Sequence, residues 1–157
     1  MNQLVTEAEV RQAQEQWAQG IVEIGKTYLE NGDYTARAER QVDELYAYGI
    51  SNVLFKPTKA AQDQFRDTKE KAMSYFVATN GVCSEDKGFA LQPWTRVVFE
   101  NNGGMILGEN YAIAMGNYFF TDDKGQEVKV EYTFGYLRDS VGNLRINLHH
   151  SSLPFAG

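Results

Sequence analysis

The chain has 157 residues, 43% of them apolar, enough for one well-filled core but too few for two comfortable domains, so residues 1–157 read as a single domain. A net charge of −6 without any clustered Lys/Arg run argues against a nucleic-acid partner. The longest wholly apolar run, 111–115, is far short of the ~20 residues a membrane span needs. Cys83 is the only cysteine, which excludes an intramolecular disulfide and a multi-cysteine metal site. Glu7, Glu9, Arg11 and Glu15 occupy the stretch where a signal peptide needs apolar residues, and a reducing, cytoplasmic setting is the expectation.

Thr6 and Glu9 have capping-box spacing, and Val5 and Val10 stand where a hydrophobic staple would close. Val10, Ala13, Trp17, Ile21, Ile24 and Tyr28 then recur at steps of three and four, predicting one long helix that stops at Asn31-Gly32. Asp33 opens a second helix with Val42, Leu45 and Tyr46 inward. A short extended piece over 53–55 runs into Lys56-Pro57, where proline disfavours helix. A third helix is predicted over 68–78, with Asp67 and Glu70 at capping spacing, Met73, Phe76 and Val77 on its apolar face, and Asn80-Gly81 as its stop.

From there the period changes to two. Strands are predicted over 94–100, 111–121, 128–136 and 144–151, joined by turns at 101–104, 122–125 and 140–143. Helices followed by hairpin-linked strands define an α+β domain with helices on one face of a mainly antiparallel sheet.

His149 and His150 are the only histidines, and adjacent strand residues point to opposite faces, so one ion cannot easily take both. With a lone cysteine elsewhere, no metal site is assigned; one histidine is expected in the core and the other at the surface. On the last strand, Leu144, Ile146, Leu148 and His150 alternate with Arg145, Asn147, His149 and Ser151. Periodicity favours a solvated face for the second set, and leaves open that it walls a cavity. Thr58 sits where a strand gives way to a loop, and Tyr75 lies beside the Met73–Phe76 stripe; each also has a plain structural use, as a turn hydroxyl and as a ring covering the core edge. The glycines at 103, 104 and 108 lack the lysine and spacing of a phosphate loop.

The ending Ile146-Asn147-Leu148-His149-His150-Ser151-Ser152-Leu153-Pro154 resembles the last strand of the NTF2-like superfamily, in particular the association domain of calcium/calmodulin-dependent kinase II. Further stretches narrow the resemblance: Leu54-Phe55-Lys56-Pro57-Thr58, Ser74-Tyr75-Phe76-Val77, Phe89-Ala90-Leu91-Gln92-Pro93-Trp94-Thr95 and Met115-Gly116-Asn117-Tyr118-Phe119-Phe120-Thr121. Together they resemble the iota-class carbonic anhydrases over nearly the whole chain. The resemblance implies an NTF2-like cone enclosing a pocket, a homodimer, and reversible hydration of carbon dioxide to bicarbonate without a metal or other cofactor. It also implies hydroxyl side chains in the place of zinc: Thr58, Tyr75 and Ser151, with His149 close by. Ser152 is the alternative to Ser151, because one bulge reverses the facing of a strand. Phe76 and Trp94 are the expected apolar surroundings of carbon dioxide, and Tyr118 is a further substrate contact. Two other classes stay open on this fold: a non-catalytic association or small-ligand module, and an isomerase with a pocket carboxylate or histidine as base.

Overall fold

A computed structural model describes residues 3–157. Helix α1 (Glu7–Leu29) begins at Thr6 with both halves of the capping box formed, and Val5 and Val10 are buried beneath it. Helix α2 (Tyr34–Leu45) is capped by Asp33, whose carboxylate accepts from the Ala36 amide at 3.0 Å. Helix α3 (Lys69–Val77) is capped by Thr68 rather than by Asp67, since the threonine hydroxyl reaches the Lys71 amide at 3.2 Å. It also ends sooner than Asn80-Gly81 suggests. Ala78 takes the left-handed conformation at φ 59°, and Asn80 instead bonds back to the Glu70 carbonyl. A single 3-10 turn, Phe89–Leu91, had no signature in the apolar periodicity.

Among the described residues five strands form one sheet in the order β1-β5-β4-β3-β2: β1 (Leu54–Lys56), β2 (Arg96–Leu107), β3 (Tyr111–Thr121), β4 (Glu127–Arg138) and β5 (Leu144–Ser152). All neighbours are antiparallel except β1, which lies parallel to β5 with Phe55 opposite His149. The expected turn over 101–104 is not a turn. It is a bulge inside a longer β2, between Glu100 and Gly104. A second bulge, between Gly135 and Tyr136 of β4, sets Asn147 of β5 out of register. Such bulges bend and twist the strands they interrupt.

The three helices cover the concave face. Trp17 and Ile21 of α1, Val42 of α2 and Phe76 of α3 meet Tyr118, Phe120, Phe134 and Tyr136 of the sheet in one continuous core. Rings fill most of the interior, so the pocket expected to run inward to Ser151 is largely occupied. Among the described residues no helix is long and apolar enough to cross a membrane.

Candidate active site

The site grows out of the β5 bulge. Because Asn147 is an extra residue there, Ile146, His149 and Ser151 all point into the core, and His150 and Ser152 point out. The solvated face that strict alternation favoured is therefore not formed: a bulge between Ile146 and His149 switches the parity midway. Ser151 is fully buried, whereas Ser152 donates to the Glu131 carboxylate at 3.1 Å on the opposite side of the sheet.

His149 stands at the centre of an aromatic box. Its ring stacks on Phe55 at 4.5 Å and 13°, packs against Phe134 at 4.0 Å, and meets Trp17 edge-on at 5.6 Å. Nδ1 lies 2.8 Å from the Tyr46 hydroxyl and Nε2 lies 3.1 Å from the Tyr118 hydroxyl. Burial, helped by neighbouring His150, drives its pKa well below the usual histidine value, so the ring is neutral. Both nitrogens are engaged, which leaves no lone pair for a metal.

From Tyr118 the contacts continue outward. Its hydroxyl is 2.5 Å from Ser151 Oγ, and Ser151 Oγ is 2.8 Å from Thr58 Oγ1. Thr58 is half-buried and is the most accessible member of this chain. The neighbouring Lys59 amide donates to the Tyr75 hydroxyl at 3.3 Å. The ring of Tyr75 is stacked on Phe89 at 5.4 Å, so it is held from behind by the unforeseen 3-10 turn. Burial pushes the hydroxyls of Tyr75 and Tyr118 far above the ordinary tyrosine value; both remain protonated donors at any working pH.

A cavity of about 540 Å³ opens at this end, with Tyr75, Phe89, Lys59, Lys87 and Gln92 in its wall. It reaches Tyr75 but neither Thr58 nor Ser151. Lys59 Nζ is bonded to the neutral Gln92 amide oxygen at 2.9 Å and rests 5.8 Å above the Phe89 ring. Lys56 reaches the Ser151 carbonyl at 3.2 Å from the other side. Burial lowers the pKa of both lysines, and Lys87 adds to the effect at Lys59. Glu85 and Asp86 also line the cavity, but each is committed elsewhere. Glu85 accepts from the amides of Ala61, Gln62 and Asp63, and Asp86 takes a bidentate contact from the fully buried Arg66 at 2.7 and 2.8 Å. These contacts tie down the loop that carries Thr58.

Of the residues expected to form a site, Thr58, Tyr75, Ser151, His149 and Tyr118 come together. Phe76 lies one ring behind, stacked on Phe55 at 6.0 Å, and Trp94 lies behind Phe89 at 5.6 Å with its Nε1 donating to the Phe89 carbonyl. Ser152 stands apart. Tyr46, Lys56, Lys59 and Phe89 belong to the neighbourhood and were not singled out for it. Only the spacing of Lys56 and Lys59 around Thr58 could have signalled them.

Helices leaning on the concave side of a bent sheet, with polar side chains gathered at one open end, define an α+β cone. The putative calcium/calmodulin-dependent protein kinase II association domain from Xanthomonas campestris shares that fold, with a TM-score of 0.63 at 21% identity over 98% of this chain and 91% of that one. Within the class the likeness is much closer elsewhere. Residues 8–153 match the metal-independent carbonic anhydrase family. A metal-independent carbonic anhydrase from Nostoc sp. is 42% identical over 99% of this chain and 77% of its own length. The crystal structure of a cyanobacterial iota-carbonic anhydrase complexed with bicarbonate superposes with a TM-score of 0.95 at 40% identity, covering 100% of this chain and 97% of that one. The chain belongs to the metal-independent carbonic anhydrases and is an enzyme that hydrates carbon dioxide reversibly.

Proposed function

We propose that Thr58, Tyr75 and Ser151 are the hydroxyls that carry this hydration, with carbon dioxide and bicarbonate held at the Tyr75 end of the cavity. The observation that carries the proposal is the unbroken contact from Tyr118 through Ser151 to Thr58, at 2.5 and 2.8 Å, ending beside Tyr75. A bound zinc lowers the pKa of its water from ~15.7 to ~7, and neutral hydroxyls do not reproduce that. What they supply is orientation and charge stabilisation. Each hydroxyl donates and accepts, so together they turn a water lone pair toward the carbon and donate to the oxygen on which negative charge develops. The new C–O bond forms from that water, its proton passes to a base in the solvent, and bicarbonate is left among the hydroxyl donors near Lys59 and Lys87. His149 and Tyr118 brace the chain, Phe76 and Trp94 back its apolar wall, and Ser152 takes no part.

Stopped-flow carbon dioxide hydration tests this directly. Activity should persist in the presence of a strong chelator, and Tyr75→Phe and Thr58→Ala should each lower kcat/KM by about a hundredfold in a folded protein. Activity abolished by chelator and restored by zinc overturns the mechanism; undiminished activity in both variants overturns the residue assignment.

We further infer that residues 1–157 work as one domain in a homodimer, which places the convex sheet face at the contact. Leu54, Ile106, Tyr111 and Met115 expose apolar side chains there, and at 49–66% exposure they resemble an interface more than a solvated face. Sedimentation at twice the 17.7 kDa chain mass is the expected result. The single cysteine, buried and unpaired, supports residence in the reducing cytoplasm.

A further inference from the structure

Resting on the hydroxyl site just described, we propose that Tyr46 is a positioning residue: it holds His149 in the Nε2–H tautomer and thereby orients every donor of the hydroxyl chain outward, toward Thr58.

The assignment starts at the blind end. The indole Nε1 of Trp17 is only a donor, and it donates to the Tyr46 hydroxyl at 3.0 Å. Tyr46 is sealed from solvent, and among the described residues the one other polar atom bonded to its hydroxyl is Nδ1 of His149 at 2.8 Å. Were Nδ1 protonated, Tyr46 would accept from both neighbours and its own proton would be buried with no acceptor, an arrangement that native interiors avoid. Nδ1 is therefore the acceptor. A neutral imidazole then carries its proton on Nε2, which donates to Tyr118 at 3.1 Å. Tyr118, having accepted, donates to Ser151 at 2.5 Å. Ser151 donates on to Thr58 at 2.8 Å, the nearer of its two acceptors, the Glu131 carbonyl being 3.4 Å away. The Lys59 amide likewise occupies a lone pair of Tyr75. Thr58, half-buried, lies against the Tyr75 hydroxyl, and Tyr75 is the member that lines the cavity.

This polarity has a chemical consequence. A proton released by the attacking water cannot run inward along Thr58, Ser151 and Tyr118, because Nε2 at the far end already holds one. Accepting another would place an imidazolium among Phe55, Phe134 and Trp17. The proton leaves instead on the cavity side, to water or a buffer base, and the chain ends the cycle in the orientation it began with. His149 thus orients the donors and does not shuttle the proton.

The test is nitrogen-15 NMR of the labelled full chain together with hydration kinetics. In the unaltered protein His149 should show one protonated nitrogen, Nε2, and one lone-pair nitrogen, Nδ1, unchanged from about pH 8 to about pH 5. Tyr46→Phe removes only the hydroxyl; it should mix the two tautomers and lower kcat about tenfold, with KM changed far less. Small imidazole buffers should raise kcat of the unaltered enzyme, since proton release opens to the cavity. A protonated Nδ1 in the unaltered protein overturns the proposal, and that measurement requires no variant to fold. A mixed tautomer in Tyr46→Phe with kcat unaltered overturns it as well. Loss of activity in Thr58→Ala and Tyr75→Phe alongside either result would leave the hydroxyl site standing and remove only the role of Tyr46. No effect of those two variants would remove the site itself.

Discussion

Tyr118 and Tyr136 are both buried tyrosines of the same sheet face, and their hydroxyls have opposite fates. Tyr118 is bonded to His149 and Ser151, whereas the Tyr136 hydroxyl has no hydrogen-bond partner among the described residues. An unpaired buried hydroxyl costs about 1–3 kcal/mol of desolvation that nothing offsets. Tyr136→Phe should therefore leave stability unchanged or raise it by up to about 1 kcal/mol in urea unfolding, with hydration activity intact. A loss of more than about 1 kcal/mol would mean that the hydroxyl has a partner. Composition alone does not separate these two residues. Both lie on predicted strands, and their difference lies in which neighbour ends in a nitrogen or a hydroxyl. The same limit explains Tyr46, legible as a core residue of the second helix but not as the partner of a histidine 103 positions away.

Among the elements, the last strand is where pattern and structure part. Its extent was legible, 144–151 against Leu144–Ser152, and so was the division of the two histidines between core and surface, but alternation favoured His150 as the inward one and the structure buries His149. Its facing was not, because one extra residue at Asn147 converts an alternating strand into one that presents Ile146, His149 and Ser151 together. The partner strand carries the only available sign. Gly135 lies opposite the bulge, where an added Cβ would come within 2.8 Å of Leu148 Cβ. Glycine there admits the close approach. Gly135→Ala should push β5 off β4, destabilise the protein by about 1–3 kcal/mol, and lower hydration activity by displacing Ser151. Urea unfolding with parallel kinetics separates the two effects; unchanged activity in a destabilised variant would detach the bulge from the site. The β2 bulge follows the same logic. Asn101-Asn102-Gly103-Gly104 has turn composition, yet Gly116 across the ladder, whose added Cβ would meet the Glu100 carbonyl at 2.0 Å, makes room for a kink in a continuing strand.

For the molecule as a whole, the buried groups that shape the site also set how stability depends on pH. Folded His149 resists protonation far below its ordinary value of 6.5, while the unfolded chain takes up that proton as pH falls through 6.5. The unfolded state then binds more protons than the folded one, so stability must decline on acidification, by up to about 1.4 kcal/mol per pH unit. The carboxylates whose pKa is depressed act in the same direction but later. Arg138 holds Glu9 down to about 2 from 4.5, and Glu85 and Asp139 are also lowered, so each begins to withdraw stability only as pH approaches the unfolded carboxylate range. The interval between about pH 6.5 and about pH 5 thus belongs to His149. At the alkaline end the sign reverses. Tyr46, Tyr75, Tyr118 and Tyr136 are all raised above 10.0 by burial, so the unfolded chain loses protons first and stability is withdrawn as pH rises past that value. Burial also raises the Cys83 thiol above its ordinary 9.0, so a plateau from about pH 6.5 to about pH 9 is the expected profile. Urea unfolding at half-unit steps checks it, with His149→Gln as the control: less stable throughout, but level between about pH 6.5 and about pH 5. Unaltered protein that is level over that same interval would show that His149 gains its proton in the folded state. The neutral imidazole at the head of the hydroxyl chain would then have to be abandoned.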